Sequence, residues 1–138
     1  MIIDGENLIL GRLASVAAKK ALLGEEIIII NCDKIMITGN KKQILARYIQ
    51  KVQMGGPFKG PFLSRSSDKL TLRAIRNMLP YKQKKGMLAF KRIKCYAGIP
   101  EKIKTEEIET IESASINKVP NLKYIKLGRI SKLIGGMK

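Results

Sequence analysis

The apolar positions of the chain switch repeatedly between a strand-like and a helix-like period. "MIID" reads as a short strand, and "IIIIN" is a continuous β-branched run that predicts a strand covered on both faces, as in a parallel sheet. Between them, "LGRLASVAAKKALLG" places Leu13, Val16, Ala17 and Ala21 near one helical face, with Gly24 as the stop. Together these segments predict a βαβ opening. "KIMITG" adds another short extended element ending at Gly39. From Asn40 to about Gln53, Ile44, Leu45, Tyr48, Ile49 and Val52 keep helical spacing while Gln43, Arg47, Gln50 and Lys51 face elsewhere.

The stretch "MGGPFKGPFLSRSSD" holds three Gly and two Pro and predicts an exposed loop without regular structure. Ser66, Ser67 or Asp68 then supplies a cap for the helix "KLTLRAIRNML", which Pro80 stops. A second loop, "YKQKKG", leads into a short helix, "MLAFKRIK", and a strand, "CYAG". Residues 101 to 118 are Glu-rich and predicted to be peripheral. The tail "LKYIKLGRISKLIGGMK" predicts one strand and a short helix that extend the same domain over residues 119 to 138. No internal repeat of solenoid period is present. Strands alternating with helices over 138 residues predict one α/β domain, and 45% hydrophobic residues suffice for a core without staples.

Charge changes this picture of an ordinary small domain. The chain carries 27 Lys and Arg against 11 Asp and Glu, a formal net charge of +16. Residues 1 to 40 are nearly balanced, with four basic and five acidic groups, whereas residues 41 to 100 hold fifteen basic groups and only Asp68. Residues 119 to 138 add five basic groups and no acidic one. A solvated helix face intersperses acids among its bases for i,i+4 pairing, and here that compensation is missing, so a polyanionic partner is expected.

Helical phase sharpens the expectation. At 100° per residue Lys69, Arg73 and Arg76 share a narrow sector, and Leu72, Ile75, Met78 and Leu79 occupy another that packs. In the following segment Ala89, Phe90 and Ile93 form the predicted core face, leaving Lys91, Arg92 and Lys94 turned away from it. Each cation that neutralises a phosphate releases counterions, and Arg binds phosphate oxygens bidentately. "TGNKK" feeds a helix N-terminus with Lys41 and Lys42, a place where an anion is favoured, although two solvated lysines would look the same. Phe58 and Phe62 on the Gly/Pro loop, and Tyr81 before "KQKK", are candidates for stacking on unpaired bases or for pinning their loops.

Catalytic and metal chemistry finds little support. There is no histidine, which removes the usual general base and the commonest metal ligand. No phosphate-cradling GxxxxGK[ST] occurs, and "GGPFKG" lacks the strand and spacing of a dinucleotide fingerprint. Asp4, Glu6, Glu25, Glu26 and Asp33 read as turn and cap residues. Cys32 and Cys95 belong to no CxxC pair and read as buried thiols of a reducing compartment, and no cofactor is implied. The N-terminus lacks the features of a signal peptide and no apolar run is long enough to span a membrane, so neither export nor membrane insertion is expected.

Four segments, "LILGRLAS" at 8 to 15, "IINCDKIMITG" at 29 to 39, "RNMLP" at 76 to 80 and "LAFKRIKCYAGIP" at 88 to 100, give the chain a close resemblance to the universal large-subunit ribosomal protein thirteen family. The form it resembles is archaeal or eukaryotic: "LLGEE" directly joins the first helix to "IIIIN", where bacterial members usually carry a longer, histidine-containing insertion, and "KGPF" is like the archaeal loop. Asn77 stands where the family usually has Gly, Cys32 where Ala is common and Cys95 where Val is common.

The resemblance implies a single three-layer α/β/α domain around a small, mainly parallel sheet, with residues 1 to 118 as the ribosomal RNA-binding part. It also implies a cytoplasmic, ribosome-bound structural protein that contacts large-subunit ribosomal RNA and neighbouring ribosomal proteins, supports subunit assembly and has no enzymatic activity. Taken with the charge pattern, the candidate RNA-binding residues are Arg12, Lys41, Lys42, Arg47, Lys51, Lys59, Arg65, Lys69, Arg73, Arg76, Lys82, Lys84, Lys85, Lys91, Arg92 and Lys94. The alternatives are an RNA-modifying enzyme on the same small sheet, and a DNA-binding regulator using residues 68 to 94. The second has a connecting loop longer than a helix-turn-helix unit allows.

Overall fold

The computed structural model describes residues 1–101, 108–120 and 123–136. In chain order its elements are β1 (Ile2–Asp4), α1 (Leu10–Leu23), β2 (Ile27–Ile30), β3 (Met36–Thr38), α2 (Lys41–Gln53), α3 (Ser67–Met78), α4 (Lys84–Lys91), β4 (Ile93–Cys95), β5 (Ile108–Glu109), β6 (Tyr124–Lys126) and α5 (Leu127–Leu133). β1, β2, β4 and β5 make one parallel sheet in the order β4-β2-β1-β5, and β3 pairs antiparallel with β6. The predicted βαβ opening and the single α/β domain around a mainly parallel sheet are both present.

Register explains which face of the sheet is dry. Ile3 lies opposite Ile29, Ile29 opposite Cys95 and Ile27 opposite Ile93, and all five side chains are buried. Successive strand residues point to opposite faces, so Ile2, Ile28 and Lys94 share the other one. There Ile2 and Ile28 are half-buried and Lys94 is exposed. Ile30, on that same face, is fully buried, so the isoleucine run is the strand expected to be covered on both faces, with Ile28 only half covered. The first face is sealed throughout, and the second is covered at Ile30 and open at its β4 edge, where Lys94 stands.

The sealed face joins a core built with Leu13, Ala17 and Ala21 of α1, Leu70 and Ile75 of α3 and Ala89 of α4. Four fully or nearly fully buried alanines on α1, at 14, 17, 18 and 21, remove the bulk that would hold its neighbours off, and α1 packs against α3 and α4. Each isoleucine fully withdrawn from water contributes roughly 1.5 to 3 kcal/mol. On α3 the buried residues are Ser67, Leu70, Thr71 and Ile75; Leu72 is half-buried and Met78 exposed, so the packing face is turned from the one phase alone predicts. Ser66 occupies the N-cap position of α3 without a side-chain cap bond, while the Ser67 hydroxyl donates to Asp33 and the Thr71 hydroxyl to Ser67 O at 2.9 Å.

The helix expected over "MLAFKRIK" ends sooner. Arg92 caps α4, and Ile93 and Lys94 belong to β4, so their side chains alternate across a sheet instead of turning round a helix. α2 forms where predicted and has no fully buried residue; Ile44, Leu45, Tyr48 and Val52 are half-buried and Ile49 is exposed. Within the Glu-rich segment, residues 102 to 107 lie outside the described residues. Its end is less peripheral than expected, because Ala114 is fully buried and its carbonyl accepts from Ile9 N–H at 2.8 Å.

Cys32 and Cys95, remote in sequence, meet because the parallel register sets β4 beside β2. Both are free and buried, and contact with Cys32 followed by burial pushes the Cys95 thiol far up from its ordinary value. Held neutral when folded and free to ionise when unfolded, it makes stability fall as pH rises above the ordinary thiol value of 9.0. That share of the slope is about 1.4 kcal/mol per pH unit. Urea denaturation between about pH 8 and 10 is expected to show a shallower pH dependence for Cys95→Ala than for the parent chain, and identical slopes would contradict this account.

Candidate nucleic-acid interface

The basic residues gathered by the fold start with the stripe on α3. Lys69 and Arg73 are exposed, one turn apart, and Arg76 continues the line one turn on. Arg76 is half-buried, with its guanidinium carbon 5.0 Å from the centroid of the Tyr81 ring. Its Nε is buried and has no hydrogen-bond partner among the described residues. Tyr81 thus serves first as a platform for an arginine, which orients the guanidinium before any ligand arrives.

A second cationic line comes from α2. Lys51 Nζ lies 5.7 Å from the Tyr48 ring centroid, and Arg47 lies one turn earlier on the helix. The two lines are close enough to repel. The Lys51 ammonium is held below the usual lysine range, first by burial and then by the positive charges of Arg47 on its own helix and Arg73 on α3. Arg47, Tyr48 and Lys51 of α2 and Ala74 of α3 line one open cavity of about 430 Å3, which reaches the start of α1 and β3.

No carboxylate among the described residues forms an ion pair with these cations. Among the described residues the ion pairs are Lys20 with Glu25 at 4.0 Å and Lys34 with Glu6 at 2.8 Å, both away from α2 and α3. Two other acids of the N-terminal third are engaged nearby: Asp4 Oδ1 accepts from Glu6 N–H at 3.0 Å and from Asn31 Nδ2 at 2.9 Å. Asp33 accepts from Ser67.

The remaining candidates divide into three kinds. Lys82, Lys84, Lys85 and Lys91 are exposed around α4 and the turn before it, and Lys59 and Arg65 are exposed on the loop before α3. Lys41 and Lys42 are exposed at the N-terminus of α2, where Asn40 caps by accepting from Lys42 N–H at 3.1 Å, so one of the free donors there is already engaged. Arg12, Arg92 and Lys94 are not gathered with α2 and α3. Arg12 Nη1 donates to Ser113 O and Arg92 Nη1 to Ala21 O, each at 3.2 Å, the latter tying down the C-terminal end of α1. Lys94 stands at the open β4 edge of the sheet.

Sequence reasoning missed Lys126 and Arg129. They line a shallow cleft with Lys41 and Tyr124, because pairing of β6 with β3 carries the C-terminal segment to the start of α2. Their signal was the acid-free net charge of the last twenty residues. Phe58, at 95% exposure, and Phe62, at 75%, keep most of their ring surface in water.

Comparison with known proteins adds an independent line. Residues 1–102 match the family model described as Ribosomal protein L13. The protein called large ribosomal subunit protein uL13 in Methanopyrus kandleri is 44% identical, over 97% of this chain and 86% of the relative. The proteins of that name in Methanocaldococcus jannaschii and Archaeoglobus fulgidus are 43% and 38% identical, each over 97% of this chain and over 96% and 86% of their own lengths.

Proposed function

The chain belongs to the ribosomal protein L13 family, whose members are structural ribosomal proteins and not enzymes, and from that premise we propose that it is a component of the large ribosomal subunit. In this reading it binds large-subunit ribosomal RNA through α2, α3, the turn into α4 and the loop before α3, lies against neighbouring ribosomal proteins and supports subunit assembly. One observation carries it: the cations of α2 and α3 repel one another and meet no carboxylate among the described residues. Phosphates reverse the sign of that interaction, and release of their counterions adds to it. DNA phosphates would answer the same cations, so it is family membership that favours the ribosomal reading over the DNA-binding regulator and the RNA-modifying enzyme.

The experiment is binding of the purified chain to large-subunit ribosomal RNA across a salt series. With six to ten phosphate contacts, affinity is expected to fall by about a thousandfold or more between roughly 50 and 200 mM salt. A salt-independent affinity would overturn the reading.

A further inference from the structure

A depression of about 210 Å3 lies between the loop before α3, α3 itself and α4. It is smaller than the roughly 300 to 1,000 Å3 of sites that enclose a drug-sized molecule, and suits a single ring system. Leu72 and Phe90, both half-buried, supply its apolar lining, and Phe62 stands beside them with three-quarters of its surface in water. The Phe62 ring is not loosely placed. It packs over Gly60, where a Cβ would lie 3.0 Å from the ring, so the glycine leaves the space the ring uses. Leaving a phenyl ring so exposed forfeits burial free energy unless something covers it later.

The polar lining is one-sided. Lys69, Arg73 and Arg76 border the depression with Ser64, and no carboxylate among the described residues lines it. The Nε of Arg76 is buried and has no hydrogen-bond partner among the described residues. Aromatic faces beside guanidinium groups match a flat π-system attached to an anion. An apolar protein side chain would use the rings and gain nothing from three cations.

We propose that this depression receives one unpaired nucleobase of the bound RNA, stacked on Phe62 with its phosphate held by Arg73 and Arg76; the proposal rests on the RNA-binding reading above. Stacking on an aromatic side chain tolerates any base, so the site recognises an unstacked nucleotide by its shape and charge and not by its sequence.

The test uses the full chain and large-subunit ribosomal RNA. Phe62→Ala is expected to weaken binding by roughly 5- to 100-fold while leaving the salt slope unchanged, because a stack contributes free energy without displacing counterions. Phe62→Tyr, which keeps the ring, should retain affinity. Ultraviolet cross-linking of the parent complex, read by mass spectrometry, should join Phe62 to a nucleotide outside any continuous RNA helix. Unchanged affinity in Phe62→Ala, or a cross-link to a paired nucleotide, would overturn the stacking site and leave RNA binding standing. Absence of RNA binding by the parent chain would remove both.

Discussion

Replacing Arg73 and Arg76 together by alanine is expected to weaken binding to large-subunit ribosomal RNA by roughly 100-fold near 0.1 M salt, and to make the slope of log affinity against log salt shallower by about 2. The size follows from two phosphates left with their counterions, each contributing about 0.9 to the slope. Folding should survive. Arg73 is exposed and unpaired with any described carboxylate, and Arg76 gives up a stack over Tyr81 worth about 0.5 to 1 kcal/mol. Lys20→Ala is the matched control, since that ammonium already lies 4.0 Å from Glu25, and it should leave the slope as it is. Filter binding of the three proteins at several salt concentrations decides the matter, and a double variant with the parental slope would remove α3 from the interface.

The second large effect concerns the backbone. Gly86 is buried in the first turn of α4, and a Cβ there would sit 2.1 Å from the Pro80 carbonyl oxygen and 2.4 Å from its carbon. Neither atom is a flexible side-chain end, so Gly86→Ala must push α4 away from the end of α3. Overpacking of this kind costs about 1 to 3 kcal/mol or somewhat more, a fall in melting temperature of roughly 10 °C for a domain of this size. The displaced turn carries Lys82, Lys84 and Lys85 and borders Tyr81, so RNA affinity should fall with it. Gly11→Ala, where the new methyl group meets nothing within 4 Å, should be neutral or stabilising by up to about 1 kcal/mol. Equal melting temperatures for the two variants would refute the contact.

How much of this could be read from the chain depended on the range of the physics involved. The cationic line of Lys69, Arg73 and Arg76 was legible because helical phase is local, and family membership was legible in four short motifs. The meeting of Cys32 with Cys95 was not, since it arises from the pairing of β2 with β4 across sixty residues. Ala89, Phe90 and Ile93 suit a helical face, and Ile93 and Cys95 suit a strand face equally well; pairing with Ile27 and Ile29 selected the strand. Arg92 read as one cation among several, and only the packed structure revealed that it serves the carbonyl of Ala21, which also accepts from Gly24 N–H. For the same reason Lys126 and Arg129 went unselected: their relevance depends on β6 returning to β3.

The two outermost strands of the main sheet, β4 and β5, are three and two residues long, and Lys94 occupies the middle of β4. The outer strands of a sheet can invite another chain to add a strand, and brevity together with a lysine is how natural sheets discourage it. In the proposed ribosomal reading, a copy not yet bound to RNA thus has little template to offer its siblings, and the geometry of the sheet itself works against aggregation in that interval.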